Sequence, residues 1–302
     1  MNDRLTRRTA LSRLLRLGAL LSPGVLSSVA AACARQRSDQ ATLDQVLRRT
    51  DELALADEPL GEVVGSIGRM FLGTPYVPHT LEVEGPEHLV VNLQEMDCLS
   101  FVESTLALAR CVKRGRSTME AFRSELQQLR YRNGIIDGYP SRLHYFTEWV
   151  QDNVRKGILR DLTSALGGTP RTRPIEYMST HPEAYRQLTD EAFLERIREM
   201  EKRLSATPRA VIPQASVPAI LEELHTGDIL GLSSTVPGLD IAHTGLAVRM
   251  NGVLRLLHAS LSQGAVVLSR GSVADYLQDQ PKQDGCIVAR PREPGESPAN
   301  SR

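Results

Sequence analysis

The sequence predicts an α+β fold in which helices come first and antiparallel strands follow. Between residues 42 and 204, apolar side chains recur mainly at helical spacing. Residues 211–289 instead contain short runs rich in Val, Ile and Leu, separated by Gly, Pro and Asn-Gly turns. Asn251-Gly252 is the strongest of these hairpin signals. This order favours a helical part followed by a strand meander over an alternating βαβ fold.

The first 33 residues predict an export signal. Several arginines precede a run of apolar and small residues, which Pro23 and Gly24 interrupt. The run is too short to span a membrane. Residues 28–33, SVAAAC, resemble a lipoprotein cleavage box with Cys33 as the lipidated residue, and TRRTAL resembles a twin-arginine signal. The alternative is an ordinary secretory signal with an incidental cysteine. We expect an exported, periplasmic protein held to the membrane by lipid, with residues 34–41 as a polar tether.

Residues 42–290 are predicted to form one domain, with a helical insertion at about 115–205 and a disordered tail at 291–302. The predicted helices of this domain are two short helices within 42–70, one helix that starts after Asp97, and helices at 119–132, 141–153 and 185–204. The helix at 185–204 is predicted to be largely solvated. Extended segments are predicted at 81–83 and 89–92, and strands at 211–212, 228–232, 244–250, 253–258, 265–269 and 286–289.

Charge and cysteine content exclude several classes of function. Lys plus Arg and Asp plus Glu number 36 each, so net charge predicts no nucleic-acid partner. The four cysteines form no CxxC pair, which argues against a structural zinc site. If Cys33 carries lipid, then Cys98, Cys111 and Cys286 remain, and an odd number in an oxidising compartment predicts at least one free thiol.

Cys98 is the candidate nucleophile. It follows Asp97 at the start of an apolar helix, where unpaired N–H groups and the helix dipole favour a thiolate. A base and a group that orients it are also required, and His243 and His258 lie on strands flanking the Asn251 turn. Each residue also has a structural interpretation: the cysteine as inert core, the histidines as solvated or capping residues.

The residues around these positions resemble a known superfamily. Asp97-Cys98 followed by Phe101-Val102 resembles the helix start of papain-like cysteine peptidases of the NlpC type. The segments GDILGL, AHTGLAV and LLHAS of this chain resemble the strands of that superfamily, in the same order. The resemblance implies a papain-like fold with the nucleophile at a helix start and a C-terminal β-meander or small barrel. It implies Cys98 as nucleophile, His243 as base and His258 as orienting group, without a cofactor or metal.

A second set of motifs resembles one subfamily, once a domain of unknown function, linked to N-acetylmuramoyl-L-alanine amidase activity. The match runs from Leu72 to Ser269 and is carried by GTPYVPHTLE, LVVNLQEMDCLSFVE, RYRNG, SRLHYFTEW and GLDIAHTG. It implies cysteine-dependent hydrolysis of the amide between N-acetylmuramic acid and L-alanine in peptidoglycan or muropeptides. By the same resemblance Tyr76 and Asp97 line the substrate cleft, although Asp97 also suits a helix cap.

A basic and aromatic cluster in the middle of the chain is the candidate substrate surface. Sugars stack on aromatic rings and arginines fork carboxylates, although buried rings and solvated arginines fit the pattern equally. The cluster comprises Arg130, Tyr131, Arg132, Asn133, Arg142, His144, Tyr145 and Trp149. Asp240 is predicted either to orient His243 or to bind substrate.

Three other functions remain open from the sequence. The same fold cleaves the D-Glu to diamino-acid bond in many relatives of the NlpC type. A lipoprotein that binds wall fragments without cleaving them is a second alternative. A zinc amidase using His243 and His258 is a third, and it lacks a clear third ligand.

Overall fold

The computed structural model describes residues 23–296, with side chains from residue 34 onward. The export segment before Pro23, the side chain of Cys33 and the last six residues lie outside this description. In the described part, no helix is both long enough and apolar enough to cross a membrane.

Helices make up most of the N-terminal two thirds. The α-helices are α1 (Pro23–Glu52), α2 (Leu60–Met70), α3 (Cys98–Lys113), α4 (Met119–Arg130), α5 (Phe146–Arg155), α6 (Tyr177–Thr180), α7 (Glu191–Ala206) and α8 (Val273–Gln278). Short 3-10 turns cover Leu55–Asp57, Arg132–Gly134, Tyr139–Ser141, Pro182–Ala184, Arg186–Thr189 and Gln214–Ile220.

The strands form one antiparallel sheet of eight strands. They are β1 (Leu159–Asp161), β2 (Thr169–Arg171), β3 (Arg209–Pro213), β4 (Ile229–Ser234), β5 (Ile241–Met250), β6 (Val253–Ser260), β7 (Ala265–Leu268) and β8 (Gln283–Pro291). Their order is β2-β3-β8-β4-β5-β6-β7, and β1 also pairs with β8. The meander of the sequence prediction is therefore an open sheet. Asn251 and Gly252 both have positive φ and join Met250 to its partner Val253, as the hairpin signal predicted.

Both faces of the sheet are covered, which explains its apolar strands. Leu246 and Val248 point to the larger core, under the N-terminal helices, whereas Ala247 between them points to a second core. The second core lies between the sheet, α8 and the turn at Gln214–Ile220. Period-2 alternation thus places apolar residues on both sides.

The central helix α3 is buried along nearly its whole length. Glu103 and Arg110, which the helical pattern placed on a solvated side, are only 1% and 5% exposed. Each has an opposite charge from α4 as partner: Glu103 binds Arg130 and Arg110 binds Glu125. Buried charges need such partners, and the expected solvated side does not exist.

Residues 34–41 differ from the expected tether. They lie inside α1, and the buried carboxylate of Asp39 accepts a hydrogen bond from Leu93 N at 2.8 Å. The predicted tail also starts too early, because Pro291 is still paired in β8 and Glu293 accepts from Leu60 N at 2.6 Å. Both segments are polar in sequence but have specific partners far along the chain.

The helical insertion contains more than helices. Its strands β1 and β2 join the sheet through β8 and β3, which the sequence pattern did not indicate. Helix α7 also buries one face, with Leu194, Ile197 and Met200 in a third, smaller core. The predicted extended segments at 81–83 and 89–92 pair with no strand within the described chain.

Candidate active site

Asp97 fixes the start of the helix that carries Cys98. Its carboxylate accepts from Ser100 N at 2.8 Å, and the Ser100 hydroxyl accepts from Asp97 N at 2.9 Å. This reciprocal capping box satisfies two N–H groups at the terminus and leaves Cys98 as the first helical residue. The predicted capping role of Asp97 is confirmed, and the same residue lines the cleft described below.

The resting thiol of Cys98 is protonated. Burial raises its pKa to about 12, and the charge of Asp97 adds to the effect. Backbone N–H groups of Thr244, Leu99 and Cys98 oppose this rise without cancelling it. The expectation that the helix start lowers the thiol pKa is therefore not met, since desolvation outweighs the helix terminus.

His243 and His258 form a direct pair. The register places Leu246 opposite Leu257, so His258 lies opposite Gly245, on the diagonal from His243. Gly245 permits this approach, because a Cβ there would lie 2.9 Å from the Cβ of His258. His243 Nε2 and His258 Nδ1 are 2.7 Å apart. The two rings meet as the sequence prediction required, through a diagonal offset.

Both imidazoles are neutral at neutral pH. Burial, with a smaller contribution from His258, lowers the pKa of His243 to about 3. Burial also lowers the pKa of His258 to about 4. The resting site therefore holds a neutral thiol and a neutral imidazole with a lone pair rather than a preformed ion pair.

Cys98 opens into a cleft of about 450 Å³. Among the predicted substrate residues, Tyr76, Asp97, Arg130, Arg142 and His144 line it. Burial raises the pKa of Tyr76 to about 12, and negative charge on an ionised Cys98 or on Asp97 raises it further. The Tyr76 hydroxyl therefore stays protonated beside the nucleophile and can donate a hydrogen bond.

The two arginines of the cleft have internal partners. Arg130 donates to Glu103 at 2.7 Å and to Val90 O at 2.6 Å. Arg142 donates to Leu81 O at 2.8 Å and also pairs with Glu82. Both guanidiniums have internal partners and tie the loop at 77–92 to the body, and a contact of either with a substrate carboxylate stays a prediction.

Arg132, Asn133 and Asp240 are not brought to the cleft. Arg132 forms a bidentate pair with Glu148 at 2.9 and 3.0 Å. Asn133 N donates to Asp152, and Asn133 does not line the cleft. Asp240 accepts from Thr147 N at 2.7 Å and from Ile241 N at 2.8 Å, and is thus occupied by backbone at the start of α5. The expected role in orienting His243 or binding substrate is replaced by a structural one.

The aromatic members of the predicted cluster are core residues. Tyr131, Tyr145 and Trp149 are at most 2% exposed. His144 reaches the cleft wall, but its Nε2 lies 2.9 Å from Tyr139 O, and burial lowers its pKa well below the usual value. The stacking surface expected for a sugar is therefore not formed by these rings.

Sequence reasoning missed three contributors to the site. The ring of Tyr276, on α8, lies 5.0 Å from that of His258 and 6.4 Å from that of His243. Thr244 directs its backbone N–H to Cys98. Leu261, 70% exposed at the β6–β7 turn, lines the cleft. Of the three residues, only Thr244 could have been found from the sequence, because it follows the candidate base His243 directly.

The geometry suits nucleophilic acyl transfer. A half-buried thiol lies beside the strand of a neutral histidine, and a second histidine fixes that histidine's ring. Across residues 34–296, no group of three or more His, Cys, Asp or Glu side chains is arranged to hold a metal ion. Of the four cysteines, the three with described side chains are free thiols, so Cys111 and Cys286 do not pair.

The fold and this site define the class: an α+β protein with a helix-start cysteine beside a histidine pair on an antiparallel sheet. The chain belongs to the AmiA-like family, described as N-acetylmuramoyl-L-alanine amidase-like, whose family model matches residues 66–286. The resemblance seen in the sequence motifs is confirmed, and the protein is an amidase-like hydrolase.

Solved structures support this membership. An N-acetylmuramoyl-L-alanine amidase from Bacteroides uniformis is 39% identical, with a TM-score of 0.74 over 77% of this chain and 99% of that one. A structure described as a putative xylanase from Bacteroides fragilis is 40% identical, with a TM-score of 0.70 over 74% and 98%. A Legionella pneumophila protein, 20% identical with a TM-score of 0.60 over 86% and 96%, shares the fold. No curated protein gives a significant match.

Proposed function

We propose that the protein is a papain-like, NlpC-type cysteine amidase that cleaves the bond between N-acetylmuramic acid and L-alanine in peptidoglycan or muropeptides. The observation that carries the proposal is the 2.7 Å pair of His243 and His258, in which His243 lies on the same strand as Thr244, whose N–H faces Cys98. Membership of the amidase-like family supports the bond chosen.

The reaction follows from the neutral resting state. His243 takes the thiol proton as Cys98 Sγ attacks the carbonyl carbon of the lactyl group. The tetrahedral intermediate collapses, the C–N bond breaks, and His243 returns the proton to the leaving amine of alanine. Water, deprotonated by His243, then attacks the thioester and releases the muramic carboxylate and the thiol.

The oxyanion of the intermediate has two candidate donors. The Cys98 backbone N–H lies at the helix N-terminus, where negative charge is stabilised. The Tyr76 hydroxyl, protonated because its pKa is raised to about 12, is the second. The leucines of the cleft, Leu99, Leu143 and Leu261, form an apolar wall that suits the methyl groups of lactyl and alanine.

Digestion of a defined disaccharide-tetrapeptide, followed by mass spectrometry, tests the proposal. The expected products are the free disaccharide and an intact tetrapeptide beginning with L-alanine, with none formed by Cys98→Ala. A disaccharide still carrying L-Ala-D-Glu would show the endopeptidase alternative instead. Binding without products would make the protein a fragment-binding lipoprotein. Activity lost to a chelator but resistant to iodoacetamide would point to a metal amidase.

We also propose that the protein is exported to the periplasm and lipidated at Cys33, as its lipobox suggests. Cys33 and Asp39 lie on the same helix α1, and six residues of helix span only about 9 Å. Since Asp39 is bound to Leu93, the lipid would hold the domain close to the membrane surface. Metabolic labelling with a palmitate analogue is expected to mark the wild type. Label that persists in Cys33→Ser would contradict the proposal.

A further inference from the structure

We propose that Tyr276 is a positioning residue: its ring holds His258 in the tautomer that leaves His243 able to take the thiol proton. The proposal rests on the proposed cysteine mechanism and adds a residue to it. It begins from His258 Nε2, which is buried and has no hydrogen-bond partner among the described residues. A buried polar atom without a partner calls for a physical explanation.

Two tautomeric arrangements of the histidine pair are compatible with the 2.7 Å contact. In the first, His243 Nε2–H donates to His258 Nδ1, so His243 Nδ1 is a bare lone pair and His258 carries its proton on Nε2. In the second, His258 Nδ1–H donates to His243 Nε2, so His243 is protonated on Nδ1. Only the first leaves His243 Nδ1 as a base, because Nε2 is already engaged.

The surroundings of His258 Nε2 decide between the two. The first arrangement buries an N–H there and the second buries a lone pair. The Tyr276 ring meets the His258 ring at 5.0 Å between centroids and 68° between planes, an edge-to-face geometry. The negative face of an aromatic ring accepts an N–H weakly and repels a lone pair. We place the Nε2 edge of His258 toward the face of Tyr276, and in that arrangement the ring favours the proton on Nε2.

Helix α8 holds Tyr276 firmly enough for this role. Ser272 and Asp275 form a capping box at its start, with Ser272 N donating to Asp275 at 2.8 Å. The side chain of Gln214 donates to Leu277 O at 2.8 Å and ties the other end to the body. The helix also packs its buried face, Val273 and Leu277, into the second core.

Tautomers can be measured directly in protein labelled with ¹⁵N-histidine, by long-range ¹H–¹⁵N correlations of each ring. We expect the His258 proton on Nε2 in the wild type and in Tyr276→Phe, which keeps the ring. In Tyr276→Leu, the proton is expected to redistribute toward Nδ1. The kcat of Tyr276→Leu should fall roughly five-fold at unchanged KM, while Tyr276→Phe stays within about two-fold of wild type.

Tyr177→Leu is the matched control. Tyr177 stacks on His181 at 4.3 Å and is a second Tyr–His pair, outside the cleft, so kcat should not change. Tyr276→Met replaces Tyr276→Leu if the latter does not fold. A His258 proton on Nδ1 in the wild type, or an unchanged tautomer without the ring, overturns the proposal. A wild type without amidase activity but with the expected tautomers would instead reject only the proposed function.

Discussion

Replacing Cys98 by alanine is expected to lower kcat for muropeptide hydrolysis by about 10⁴-fold or more, at nearly unchanged substrate affinity. The thiol supplies the atom that forms the covalent intermediate, and removal of a nucleophile from such a set leaves only the contribution of binding and oxyanion stabilisation. The cleft itself, including the Asp97 capping box, is retained because the side chain lost is small. Product formation and binding of a labelled muropeptide give the two readouts.

Two other thiols of the fold provide the controls for this variant. Cys111 and Cys286 are free, at most 1% exposed and located in the cores, so Cys111→Ala and Cys286→Ala should keep kcat near the wild-type value. Iodoacetamide should inactivate the wild type through Cys98, faster as the pH rises toward the thiol pKa of about 12. Wild-type kcat in Cys98→Ala would remove the cysteine mechanism altogether.

The candidate catalytic residues could be proposed from the sequence because their signals are local. Asp97-Cys98 at a helix start and the turn at Asn251-Gly252 each depend on a few neighbouring residues, and the turn fixes which strands carry His243 and His258. The sequence pattern of the strands could not predict the position of Tyr276, because its contact with His258 depends on how α8 packs against the sheet.

The errors of sequence interpretation share one physical cause. Arg142 looked unpaired because its partner Glu82 lies 60 residues earlier, outside any local pattern. Asp39 looked solvated because its partner is the backbone of Leu93, 54 residues later. A polar residue is usually exposed, but it can be buried when a partner far along the chain satisfies its charge or hydrogen bonds. The local sequence does not show which residue that partner is.

The same physics makes Arg130 the site of the largest expected loss of stability. Its pair with Glu103 is buried, with both side chains at most 3% exposed, and Glu103 also accepts from Trp149 Nε1 at 3.1 Å. Arg130→Met leaves a buried carboxylate without its cation and Val90 O without its donor. We expect the free energy of unfolding to fall by about 3–5 kcal/mol. Urea unfolding measures it.

Two variants separate this structural role from substrate binding. The double variant Glu103→Leu with Arg130→Met should recover most of the lost stability, since no uncompensated charge then remains. The exposed pair of Arg49 with Glu52 is the control, and Arg49→Met should change stability little. If Arg130 instead held a substrate carboxylate, Arg130→Met would raise KM and leave the unfolding midpoint in place.

The pH dependence of Arg130→Met gives an independent check on the same argument. Burial already raises the pKa of Glu103, and loss of Arg130 removes the group that lowers it most. The folded state then binds a proton more tightly than the unfolded state. This contribution to stability is therefore complete below the unfolded pKa of a glutamate, is lost as pH rises through the raised folded pKa, and is absent at higher pH. The deficit of Arg130→Met relative to wild type should therefore be smaller at pH 5 than at pH 8. An equal deficit at both values would mean that Glu103 stays charged in the variant, and that water or a neighbouring group replaces the guanidinium.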